Sequence, residues 1–125
     1  MKTFLSILFV LLIIYIVPII VYGLASSLIG AKMPDGVSPM MFLLSVLVTK
    51  LGTAIAFVLI FYFARNSFSS HWFLYAFIWW IMFAIGEIGQ TIGQNYSWKE
   101  SVAGIISETI YLPLSAFIVN RLIKM

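Results

Sequence analysis

Three ionisable side chains interrupt apolar stretches of this 125-residue chain: Lys50, Glu87 and Glu108. Residues 73–80 are apolar without a break, and Glu87 follows in IMFAIGEIGQTIGQ. A charge at the centre of a membrane helix costs about 2.5–3.5 kcal/mol on insertion scales. Helix packing alone does not require that cost. An amine and two carboxyls are groups that exchange protons and hold cations. Fully ionised, one lysine and two glutamates leave a charge of 1 − 2 = −1. In a medium of low dielectric that residual charge is expensive. Either one carboxyl keeps its proton or a cation fills the deficit. A static lysine–glutamate bridge beside a protonated second glutamate has the same composition, so residue types leave both readings open.

Spacing places other polar residues near the trio. Glu87, Gln90, Thr91 and Gln94 fall at i, i+3, i+4 and i+7, one face of a helix. Beside them runs the strip Gly86, Gly89 and Gly93, which lets a neighbouring backbone come close. Gly104, Ser107, Glu108, Tyr111 and Ser115 form a second stripe. Ser45, Thr49, Gly52, Thr53 and Ala56 form a third with Lys50 at its edge, and Tyr15, Pro18 and Tyr22 a fourth. Four such faces are expected to meet along one axis. The candidate binding residues are therefore Glu87, Glu108 and Lys50, with Gln90, Thr91, Ser107 and Tyr111 lining a cavity. Trp80, seven residues before Glu87, either floors that cavity or packs in the core or against lipid. Pro18 and Pro113 free backbone carbonyls within their helices. Small-residue strips and hydroxyls also serve as ordinary helix-packing devices.

The elements that must carry these residues follow from hydropathy. The chain is 63% hydrophobic and 9% charged, with a mean hydropathy of +1.13. A water-soluble domain carries about a quarter charged residues, so lipid is the expected solvent. A spanning helix needs about 20 mostly apolar residues. Four segments meet that length, near Phe4–Ala25, Met40–Ala64, Trp72–Gly93 and Val102–Leu122. The expected fold class is all-α: an integral membrane four-helix bundle forming one domain over 1–125. The lysine-plus-apolar start looks like a signal peptide, but its apolar run outlasts the usual 7–15 residues. It reads as a retained first helix.

Short polar connections make consecutive helices antiparallel, up-down-up-down. Pro34-Asp35-Gly36 marks a turn in the first connection, and RNSFSSH (65–71) and QNYSWKE (94–100) read as hairpin turns. Lys2, Arg65, Arg121 and Lys124 fall on one side. Lys32 and Lys99 fall on the other, beside Asp35 and Glu100. The positive-inside rule then puts both termini in the cytoplasm, with a cell membrane as the expected location. His71 and Trp72 mark the inner interface, Tyr96 and Trp98 the outer one. At 1.5 Å per residue, Lys50 lies about 15 Å and each glutamate about 9 Å below the outer surface. Lysine can snorkel across the difference.

Other function classes lose support. With no cysteine and one histidine, thiolate and imidazole metal centres and other cofactors are not expected. No Ser/His/Asp set suggests itself, since His71 and the acids fall on opposite sides, so no enzyme is expected. The net charge of +3 comes from scattered residues, which argues against nucleic acid. In size, helix number and a membrane glutamate the chain resembles the small multidrug-resistance transporters. That family keeps its glutamate in the first helix, and Phe4–Ala25 contains none. Two functions remain. One is a proton- or cation-coupled carrier or channel-like protein, acting as a homo-oligomer and taking a proton, a cation or a small cationic ligand. The other is an accessory or scaffold subunit of a larger membrane complex, with the trio as a structural bridge.

Overall fold

The computed structural model describes residues 2–28, 38–93 and 97–124. These residues form five helices: α1 (Lys2–Leu28), α2 (Pro39–Phe63), α3 (Arg65–Phe68), α4 (Trp72–Gly93) and α5 (Trp98–Lys124). No strand occurs among the described residues. α1, α2, α4 and α5 are each long and apolar enough to cross a membrane. Lys32, the turn at 34–36 and Gln94, Asn95 and Tyr96 lie outside the described residues.

Local chemistry explains the helix ends. Ser38 caps α2 by accepting a hydrogen bond from the Met41 amide at 3.1 Å, and Pro39 occupies the first turn. Proline suits that position, since the amide it lacks would have no intrahelical partner there. α5 begins four residues earlier than hydropathy suggests, at Trp98 rather than Val102. The cause is a capping box, Ser97-Trp-Lys-Glu100. The Ser97 amide donates to Glu100 Oε2 at 3.0 Å, and the Glu100 amide meets Ser97 Oγ at 3.5 Å. These polar bonds start the helix before the apolar run begins. α1 likewise extends beyond its hydrophobic core at both ends. The segment 65–71, expected to be a plain turn, contains the single-turn helix α3, closed by the Ser69 amide donating to the Arg65 carbonyl.

α5 is the central helix. Half of its most apolar window is buried inside the protein, against about a fifth for each other long helix (50% against 22%, 17% and 17%). It packs extensively against α1 and α4, whereas α2 packs mainly on α1 and only sparsely on α5. The core joins Val10 and Ile14 of α1, Phe57, Val58 and Phe61 of α2, Tyr75 and Ala76 of α4, and Leu112, Ala116 and Val119 of α5. The outward faces of all four helices carry exposed Leu, Ile and Phe.

α2 and α4 have no extensive backbone contact. They meet through aromatic side chains near α3. The Phe57 ring lies 4.9 Å from Tyr75 and 5.3 Å from Trp79, and Phe61 lies 5.0 Å from Tyr75. The Tyr75 hydroxyl donates to the Phe57 carbonyl. Farther from α3, toward Lys50 and Glu87, the two helices leave a cleft between them.

Candidate functional site

The cleft has a volume of about 310 Å³. Its lining comes from three helices: Thr49, Lys50 and Thr53 of α2; Met82, Phe83, Gly86, Glu87 and Gln90 of α4; Glu108 and Tyr111 of α5. Each helix contributes through its own periodicity. Met82, Phe83, Gly86, Glu87 and Gln90 follow 3- and 4-residue steps, as do Thr49 with Thr53 and Glu108 with Tyr111.

Lys50 is tied to α5. Its ammonium donates to the Tyr111 hydroxyl at 3.2 Å and sits 4.8 Å from the centroid of the same ring. Both glutamates act on that ammonium electrostatically. A tyrosine thus holds the lysine by a hydrogen bond and a cation–π contact.

Glu108 is 6% exposed, and its Oε1 has no hydrogen-bond partner. Its carboxyl and that of Glu87 line the same cleft. Glu87 is half-buried, with its carboxylate lying over Gly104. A β-carbon at Gly104 would come within 2.5 Å of Glu87 Oε1 and 2.7 Å of Oε2. Glycine at 104 is therefore what lets the α4 carboxylate settle onto α5.

The backbone at Glu87 is fastened as well. Thr91 Oγ1 donates to its carbonyl at 3.0 Å, and Ser101 Oγ lies 2.9 Å from the same oxygen. The two hydroxyls also meet, and the single Ser101 proton goes either to the carbonyl or to Thr91. Thr91 is thus a fastener between α4 and α5 beside the cleft rather than part of its lining.

Ser107 is buried on α5 but does not line the cleft, and its Oγ has no partner. Ser115, two turns along, is also fully buried with an unpartnered hydroxyl. The contrast with other hydroxyls is consistent. Ser6, Ser27, Thr49, Thr53, Thr91 and Thr109 each donate to the carbonyl four residues earlier.

The structure therefore brings Lys50, Glu87, Gln90, Glu108 and Tyr111 to one cleft and leaves Thr91 and Ser107 beside it. Two expectations need correction. The four polar faces do not meet on a single axis, because α1 contributes nothing to the cleft lining. Tyr15 and Tyr22 instead bond the Leu43 and Glu100 carbonyls, joining α1 to α2 and α5. The strip Gly86, Gly89 and Gly93 brings no helix close among the described residues, since a β-carbon at any of them would meet nothing within 4 Å. α4 packs on α5 through another face, which leaves these glycines exposed. Trp80 packs against the core rather than lining the cleft, one of the placements its position allowed. Its indole N–H donates to Thr109 Oγ1 at 2.9 Å and its ring stacks on Phe77.

Phe83 and Met82, four and five residues before Glu87, escaped sequence reasoning because apolar side chains in an apolar helix carry no signal. Ser101 lies just before the expected start of its helix, but its place in the capped first turn made it findable. No protein-family model matches the chain, and neither a curated protein nor a solved structure is similar to it.

Proposed function

We propose that this chain is a small multi-pass membrane protein whose cleft between α2, α4 and α5 is a coupled site for a proton or cation, as in a carrier or channel-like protein. In this reading the helices cross a cell membrane up-down-up-down with both termini cytoplasmic. One observation carries it: Lys50, Glu87 and Glu108, from three separate helices, line the same cleft. Their formal sum is −1, and one proton or one monovalent cation completes it.

Each residue then has a role. Glu108 Oε1 is a buried acceptor without a protein partner, ready for the arriving charge. Glu87 shares that charge. Lys50 is a tethered counter-ion that competes for the carboxylates, and Tyr111 limits its reach. Gln90 and Thr49 sit at the exposed margin of the cleft. The aromatic contacts of Phe57 with Tyr75 and Trp79 hold α2 to α4 near α3. Away from that anchor the two helices lack extensive contact, and in this reading they part at the cleft to give the motion alternating access needs.

The scaffold reading has its own support. Exposed Gly86, Gly89 and Gly93 are open to a helix from a second copy or from a larger complex. Reconstitution in liposomes separates the two. A carrier takes up protons or a monovalent cation down an imposed gradient, and Glu108→Gln abolishes uptake. Combining Lys50→Glu with Glu87→Lys keeps a static bridge and its stability but destroys coupled uptake. Absence of flux under every gradient, with the exchanged variant fully stable, would leave only the scaffold.

A further inference from the structure

A second pocket lies at the other end of α2. It has a volume of about 180 Å³ and is lined by Phe61, Arg65, Asn66, Ser69 and Ile123. Phe61 and Ile123 belong to the last turns of two long apolar helices, and Arg65, Asn66 and Ser69 to α3 and its exit. The pocket is therefore apolar on one side and polar on the other, at the level where apolar helices end.

Its cation is positioned rather than loose. Arg65 Nη1 donates to the Tyr62 carbonyl at 2.8 Å, and the guanidinium lies 4.3 Å from the centroid of the Tyr62 ring. One N–H is engaged, and a guanidinium has five. The remaining donors form a planar fork, the geometry that suits a phosphate, on a residue that lines the pocket. Asn66 and Ser69 add an amide and a hydroxyl. Among the described residues, no acidic side chain lines the pocket.

Size narrows the ligand. The volume is roughly six times what a water molecule occupies in the liquid. It falls below the 300–1,000 Å³ typical of drug-sized sites. A phosphate group with its nearest ester carbons fits these dimensions. The apolar wall formed by Phe61 and Ile123 then continues toward the acyl chains.

We propose that this pocket binds the phosphate of an anionic phospholipid. The proposal rests on the membrane placement of the helices and is independent of any role for the cleft. Basic pockets between membrane helices commonly hold such headgroups.

The test uses the full-length protein in nanodiscs of phosphatidylcholine mixed with phosphatidylglycerol, followed by native mass spectrometry of retained lipid. The wild type is expected to retain phosphatidylglycerol over phosphatidylcholine. Arg65→Gln lowers that retention about tenfold, as expected for a charge-assisted contact. Arg65→Lys keeps part of it, because lysine supplies a point charge without the fork. Ser69→Leu, which fills the pocket and leaves Arg65 in place, also lowers retention. Arg121→Gln serves as the control. Arg121 is exposed, and two helical residues from Ile123 it faces away from the pocket. Thermal melting verifies that each variant is folded. Equal retention of both lipids by the wild type overturns the proposal. So does equal loss from Arg65→Gln and Arg121→Gln, which marks diffuse surface attraction. Displacement of phosphatidylglycerol by inorganic phosphate assigns the site to free phosphate and overturns the lipid assignment.

Discussion

Replacing Gly104 by alanine tests the position of the Glu87 carboxylate separately from the stability of the fold. The added β-carbon would lie 2.5 Å from Glu87 Oε1, 2.6 Å from Cδ and 2.7 Å from Oε2. Comfortable contacts between such atoms begin near 3.5 Å. The carboxylate must therefore retreat by about 1 Å. It is the flexible end of its side chain, so it moves in preference to either helix. Meanwhile alanine is about 0.8–1.0 kcal/mol better than glycine in a helix interior. Gly104→Ala is accordingly expected to melt at the wild-type temperature or slightly above it. Misplacing a positioned group by about 1 Å can slow a reaction by about 100-fold. Proton- or cation-driven uptake into liposomes should then fall by about 10- to 100-fold. Wild-type uptake in the alanine variant would show that the carboxylate's seat on α5 has no functional consequence. A stability loss above about 2 kcal/mol would show that the crowding falls on the helices themselves.

Four further substitutions have defined outcomes. Tyr111→Phe deletes the bond that holds the Lys50 ammonium. It should lower stability by about 0.5–1.5 kcal/mol and weaken cation affinity by about 2- to 12-fold as the freed lysine competes for the carboxylates, measured by melting and by concentration-dependent uptake. Ser115→Ala removes a buried hydroxyl that makes no bond, so its melting should stay within about 0.5 kcal/mol of wild type. Ser101→Ala, which loses the bond to Thr91 or the Glu87 carbonyl, should cost about 1 kcal/mol more in the same assay. Phe57→Ala removes the ring that joins Tyr75 and Trp79 to α2. It should destabilise the protein by about 3–5 kcal/mol and shift the tryptophan emission, because Trp79 loses an aromatic neighbour.

Hydropathy determined the number and approximate extent of the long helices, because an apolar run of spanning length satisfies its backbone hydrogen bonds internally and has few other uses. The periodicity of Glu87 with Gln90, and of Glu108 with Tyr111, determined which residues share a face, since those spacings depend only on helix geometry. Where a face points is another matter. The glycine strip on α4 has ordinary packing spacing, yet it is exposed while α5 takes the neighbouring face. The centrality of α5, the gap between α2 and α4, the seat of Glu87 on Gly104 and the capture of Lys50 by Tyr111 were decided by tertiary structure. Each depends on the rotation of one helix against another. Contacts between residues far apart in the chain set that rotation, and no local pattern encodes it.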